Sequence, residues 1–205
     1  MRRSREDAAR TRRRAVAAAS RLFRERGIES VSLGDVMAKL RMTAGGFYRH
    51  FKSKEALAAE ACALAFTSSG LGREAAGSPE AMLSSYLSKA HRDQPSDGCP
   101  LPALASDMAR QPAAVRRAYT EGVREAVRRI REVAPAADPT VHLALLAGMV
   151  GALAISRAVN DEKLSEAVLR ETRNFWIPKI EELEVPAPRR AGREAARGSR
   201  SARFE

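Results

Sequence analysis

Apolar residues recur along this chain at spacings of three and four, with no sustained alternation and no β-branched enrichment, so every long segment predicts helix. A first helix is expected over 5–26, with Val16, Ala19, Leu22 and Phe23 on one face and Gly27 as its stop. Ser32, with Asp35 three residues on, predicts a capping box for a short helix through Leu40. After the turn Arg41-Met42, Thr43 predicts the cap of another short helix ending near His50, and Ser53 the cap of a long one from Lys54 to about Ser68. A break is expected over 70–77. Ser78-Pro79 then opens a helix to about Arg92, residues 93–102 read as a loop, and a short helix reaches Arg110. Pro112 opens a helix to about Ala134, and Asp138-Pro139 opens an apolar one over 140–159. The last helix runs from about Leu164 to Glu184, bent or restarted at Pro178, where a backbone donor is lost. The fold class expected is all-α.

Charge divides the chain more sharply than hydropathy does. The 205 residues carry a net charge of +11, of which residues 1–57 hold +9, residues 58–185 hold −2 and residues 186–205 hold +4. A basic N-terminal module on a near-neutral body is the electrostatic footprint of a polyanion binder, because Lys and Arg at phosphates release condensed cations. Arginine richness from genome composition is the competing account, but it does not explain the neutral middle. Three units are therefore expected: a basic N-terminal module with its arm over 1–53, a near-neutral helical body over 54–185, and a disordered basic tail over 186–205. The longest charge-free apolar run, Leu143 to Ile155, has 13 residues, shorter than the roughly 20 of a membrane span, so no membrane association is expected. No secretory leader is legible. The two cysteines, Cys62 and Cys99, form no metal or disulfide pattern, which fits a cytoplasmic protein without metal or cofactor.

Three short helices joined by tight turns in about 50 basic residues suggest a helix-turn-helix whose third helix enters the major groove. The run Thr43, Ala44, Gly45, Gly46, Phe47, Tyr48, Arg49, His50 suits that role: Thr43 and Tyr48 supply hydroxyls, Arg49 and His50 donor nitrogens, and Ala44, Gly45 and Gly46 permit close approach. Each glycine costs a helix roughly 1 kcal/mol against alanine, a sacrifice that packing alone does not readily explain. An ordinary tight helical corner is the alternative.

The stretch from Ala18 to Gly27, then Ser32, Asp35 and Val36, then Thr43 to Leu57, resembles the DNA-binding domain of TetR-family transcriptional regulators. The similarity covers about residues 10–57, and the ordered set Phe23, Gly27, Tyr48, Phe51, Lys54 and Leu57 carries it. It implies a homodimer whose recognition helices reach successive major grooves of a near-palindromic double-stranded operator, and a helical C-terminal domain with a small-molecule pocket. Carried over by position, Thr43 and Ser32 match hydroxyl positions, Tyr48 and His50 phosphate- or base-facing ones, and Lys54 the lysine opening the next helix, where free amides favour phosphate. Ala44, Gly45 and Gly46 are left with thymine methyls or groove shape to read. Arg49 suits guanine or phosphate. Arg41 departs from the glycine usual in the turn, which puts that turn's backbone geometry in question and offers a further phosphate contact.

Outside this domain, His91 and His142 lack partners at ligand spacing, and no catalytic set or phosphate-binding loop is apparent, so no enzyme activity is expected. Cys99 precedes a helix, whose amides favour a thiolate, in a stretch similar to one in effector domains of the LmrA and YxaF group. It reads either as a packing residue or as a thiol switch. Candidate pocket residues are Phe66, Tyr86, Cys99, Leu101, Leu104, Met108, Tyr119 and Met149. Candidate dimer-interface residues are Gly148, Gly151, Phe175 and Trp176. The function expected is a homodimeric repressor released by a small apolar effector; the alternatives are a thiol-sensing repressor acting through Cys99 and a nonspecific architectural DNA-binding protein.

Overall fold

Helix α1 (Arg5–Arg26) buries Ala15, Val16, Ala19, Leu22 and Phe23 along one face. It ends where Gly27 adopts φ of +81°, a left-handed conformation that a Cβ would penalise. The computed structural model describes residues 5–68, 78–135 and 137–184, with the backbone but not the side chains of Ala44, Leu183 and Glu184. The expected break over 70–77, the first residues of the basic arm and the tail 186–205 lie outside the described residues.

Helix α2 (Leu33–Lys39) starts from the full capping box: Ser32 Oγ accepts the Asp35 N–H at 3.1 Å, and the Asp35 carboxylate accepts the Ser32 N–H at 2.7 Å. Residues Ala44–Arg49 then form a 3₁₀ helix, and α3 follows at Lys54–Ser68, with Ser53 Oγ accepting from Ala56 N. The chain continues through α4 (Pro79–Tyr86), α5 (Lys89–Asp93), α6 (Pro100–Met108), α7 (Ala113–Val133), α8 (Pro139–Ala158) and α9 (Glu162–Glu184). Every described element is helical, as the apolar spacing required.

Three expectations need correction. The helix expected over 79–92 is two, because Ser88 accepts the His91 N–H at 3.1 Å and starts α5 afresh. The expected loop over 93–102 is shorter, since Pro100 at N1 already belongs to α6. Finally, α9 does not restart at Pro178 but runs continuously through it, with the proline exposed.

One core runs through the described residues, with α3 at its centre, packed against α1 on one side and α7 on the other. The α3–α7 crossing is close: a Cβ on Gly122 would sit 2.3 Å from the Phe66 ring, so only glycine fits there. Helix α8 is long and apolar enough to cross a membrane by length and composition, beyond the 13-residue run that suggested otherwise. Its residues Leu145, Leu146, Met149, Ala152 and Leu153 are buried, and the helix packs against α7 and α9.

Candidate DNA interface and effector core

The first three helical elements fix the outer surface of residues 41–54. Phe47 and Phe51 are buried and stacked with ring centres 5.3 Å apart, and they anchor the 3₁₀ helix from below. Tyr48 meets Phe47 edge-on at 5.3 Å and points outward, 70% exposed. Arg49 and Thr43 are also exposed, and His50 and Lys54 are half-buried at the same end. Sequence-predicted Thr43, Gly45, Gly46, Tyr48, Arg49, His50 and Lys54 are thus brought together along one short stretch. Ser32 and Arg41 lie on the neighbouring α2 and turn.

Several details differ from the sequence reading. The run after Thr43 is a 3₁₀ helix rather than an α-helix, and the Thr43 hydroxyl makes no capping bond; the turn is closed instead by Gly46 N–H donating to Thr43 O at 3.0 Å. That leaves the hydroxyl outside the helix's own bonding. Ser32, by contrast, is committed to its cap, and its bonds to Asp35 hold that carboxyl below the usual carboxylate range. Arg41 adopts φ of +56°, the conformation glycine takes without strain, so the arginine substitutes for glycine without changing the turn. Neither glycine is required by packing: a Cβ on Gly45 meets nothing within 4 Å, one on Gly46 meets only the end of Met42 at 3.4 Å, and neither has positive φ.

Arg12 was missed in the sequence, because its partners lie 38 and 48 residues away. It donates to His50 O at 3.2 Å, forks onto the Glu60 carboxylate at 2.5 Å and covers the Phe51 ring at 4.7 Å. One side chain therefore ties the end of the 3₁₀ helix to both α1 and α3, and the Glu60 carboxylate raises its pKa.

The far end of α1 is clasped by the second part of the chain. Arg24, buried, donates to Gly98 O at 2.9 Å, and Arg21 pairs with Asp97 at 2.7 Å. Asp107, near the end of α6, accepts the Ile28 N–H at 2.8 Å, and Gln111 donates to Glu29 at 2.6 Å. These bonds tie α6 and its preceding loop to the end of α1 and the residues after it.

The predicted pocket residues Phe66, Tyr86, Cys99, Leu101, Leu104, Met108 and Met149 are all buried, with Tyr119 half-buried. Phe66 packs edge-on to Tyr119 at 5.7 Å, and Tyr119 donates to Leu101 O at 3.0 Å. Cys99 lies at the start of α6, but burial pushes its thiol up, against the direction helix amides favour. Cys62 is pushed up to about 12 by burial alone. At the proposed dimer face the residues divide. Gly148 serves packing within the chain, where a Cβ would lie 2.8 Å from Trp176 Nε1, whereas Gly151 has open space and Phe175 is 57% exposed. Leu143 and Ile155 share the open side of α8 with Gly151 at helical spacing, and Leu164 shares that of α9 with Phe175.

Residues 15–61 match the family model of bacterial regulatory proteins, tetR family. This segment is the part of the chain that matches the tetR family. Solved structures share its helical architecture. A TetR-family transcriptional regulator from Cytophaga hutchinsonii is 23% identical with a TM-score of 0.68, the alignment covering 90% of this chain and all of that one. The reduced form of NemR from E. coli is 19% identical with a TM-score of 0.64, covering 80% and 96%. A TetR regulator from Legionella pneumophila is 17% identical, also at 0.64, covering 89% and 98%. No curated protein matches the chain significantly. The tetR-family match covers the second half of α1, α2, the 3₁₀ helix and the first half of α3, which are the elements that hold the exposed stretch.

Proposed function

We propose that this tetR-family regulator is a cytoplasmic, homodimeric repressor that binds a near-palindromic operator and is released by a small effector. The observation that supports DNA reading by this surface is the pair Gly45 and Gly46. They give up helix propensity at positions where the fold has room for a Cβ, beside exposed Tyr48 and Arg49. Close approach of the backbone to a duplex accounts for that choice, with Thr43, Tyr48, His50 and Lys54 on phosphates, Arg49 on a guanine or phosphate, and Ser32 and Arg41 at the flank. The division into units follows: DNA binding over 1–53, effector binding and dimerisation over 54–185 through the apolar sides of α8 and α9, and the basic tail after them. Release works by population shift, the effector favouring a dimer whose two reading surfaces no longer fit successive grooves. The clasp of Arg24 and Asp107 on α1 supplies the connection.

Fluorescence anisotropy against DNA flanking the protein's own gene, with random duplex as competitor, tests the reading. Two protomers per site and a preference of roughly 10³-fold or more over random DNA are expected. Equal competition by random duplex would instead place the protein among architectural binders. A thiol-sensing repressor acting through Cys99 has a single separate test: Cys99→Ser abolishes the oxidant response and leaves operator binding intact. The raised thiol of Cys99 favours the non-covalent effector.

A further inference from the structure

Polar groups gather around His91 inside the second part of the chain. His91 Nε2 accepts the Cys99 N–H at 2.9 Å, which places the ring hydrogen on Nδ1, 2.8 Å from Tyr86 O. The same ring packs edge-on to Tyr86 at 4.7 Å. From α8, Arg157 donates through Nη2 to His91 O at 2.6 Å and through Nε to Arg92 O at 3.0 Å. Two buried atoms have no hydrogen-bond partner: Tyr86 Oη, in a side chain only 5% exposed, and Arg157 Nη1. The Cys99 thiol lies beside the tyrosine hydroxyl without meeting it in hydrogen-bond geometry. Among the described residues no carboxylate forms an ion pair with Arg157; nearby Asp93 is held by Arg92.

Both orphaned groups are donors, and one carries a positive charge whose hydrogen-bond partners are main-chain carbonyls, with Asp93 the nearby carboxylate. Buried donors without acceptors are rare because each has lost its water. What would complete this pair is an acceptor oxygen, and the guanidinium favours an anionic one. An open cleft of about 710 Å³ between the end of α1, α5, α6 and α8 has Arg157 in its wall, with Ser156, Pro102 and Ala103, while Tyr86 does not line it, so the guanidinium would turn slightly toward the cleft to meet a ligand. Of the acidic residues lining it, Asp93 and Glu162 are engaged by Arg92, and Glu25 lies on α1.

We propose that this cluster is the polar end of the effector site and that the effector is an organic acid. One carboxylate or phenolate oxygen sits on Arg157 Nη1 and Tyr86 Oη, and the apolar body lies in the cleft along Pro102, Ala103 and Ala154. The proposal rests on the effector-released reading above and narrows its ligand from simply apolar to acidic. Occupancy also bears on DNA binding, because Cys99 N is tied to His91 while the adjacent Gly98 O holds Arg24 on α1.

The test is calorimetric titration of the full chain with benzoate, salicylate and cinnamate, each beside its neutral amide. At least one acid should bind, about tenfold or more tighter than its amide. Arg157→Met should weaken that acid by about tenfold or more, with part regained in Arg157→Lys. Tyr86→Phe should weaken it several-fold without lowering the melting temperature, which guards against a fold defect. Binding of no acid at about millimolar concentration, equal binding of acid and amide, or an unchanged Arg157→Met overturns the proposal. Operator release separates the two ideas. Arg157-dependent acid binding that leaves DNA bound keeps the site and removes the release reading, whereas release by the neutral amides in Arg157→Met does the reverse.

Discussion

Gly45→Ala separates what the fold needs from what DNA needs. The added Cβ meets nothing within 4 Å, and the backbone there is not left-handed, so no strain opposes it. Alanine is favoured over glycine in a helix interior by up to about 1 kcal/mol, and the tighter 3₁₀ turn should return part of that. For a chain of this size the melting temperature should rise by about 2–4 °C per kcal/mol gained. On the duplex the same methyl group occupies the space through which the backbone approaches a base edge, and operator affinity should fall by about tenfold, or about 1.4 kcal/mol, with much less effect on random DNA. Differential scanning calorimetry and competitive anisotropy on one preparation give both numbers. A variant that melts higher and binds the operator as tightly as the parent refutes the reasoning, because the glycines would then serve neither packing nor recognition.

Other expectations are equally direct. Gly122→Ala drives a methyl group into the Phe66 ring and should destabilise by about 1–3 kcal/mol, read from urea unfolding. Arg41→Gly relieves a left-handed arginine and should stabilise by about 1 kcal/mol; if Arg41 binds phosphate, affinity drops on all sequences alike and the salt slope lessens by about 1. Asp107→Ala strips the buried Ile28 N–H of its acceptor and should cost about 1–3 kcal/mol, with weaker communication between effector and operator. Glu162 is held down to about 2 by Lys89 and Arg92; a depressed carboxylate stabilises above its unfolded pKa, so its contribution should be intact above pH 4.5 and lost between there and pH 2. Glu162→Gln should flatten that acid limb. Both cysteines, buried with raised pKa, should react with a thiol reagent only after unfolding.

Local features were legible in the sequence wherever the cause was local. Gly27 stopped α1, the Ser32 and Asp35 box opened α2, and Ser53 opened α3, because a cap acts within three residues of itself. The second cap in 79–93 was missed since Ser88 sits inside an otherwise unbroken helical pattern, and its hydroxyl was the only signal of a restart. Thr43 had the right identity for a cap, yet a 3₁₀ turn closed on main-chain atoms instead. The site residues were named from hydroxyls, donors and glycines in one run, of which Thr43, Gly45, Tyr48 and Arg49 are exposed. Arg12, Arg24, Asp107 and Arg157 could not be named this way, for each finds its partner 38 to 79 residues away and nothing in the local sequence marks the meeting. Gly148 and Trp176 read as outward-facing for the same reason; small and large met within one chain instead.

The double duty of α3, packed on α1 by one face and on α7 by the other, sets the rules for recombining this protein with its relatives. A chimera joined after residue 53 would keep Phe66 with Gly122 but set α3 against a foreign α1, whereas one joined after residue 68 would keep α1 with α3 and part Phe66 from Gly122. Swaps of operator specificity should therefore succeed when confined to the outward residues of 41–50. Whole-module grafts should succeed only when α3 travels together with α7 and the α6 end that holds Ile28, so that inheritance of a new specificity proceeds by surface replacement more readily than by exchange of domains.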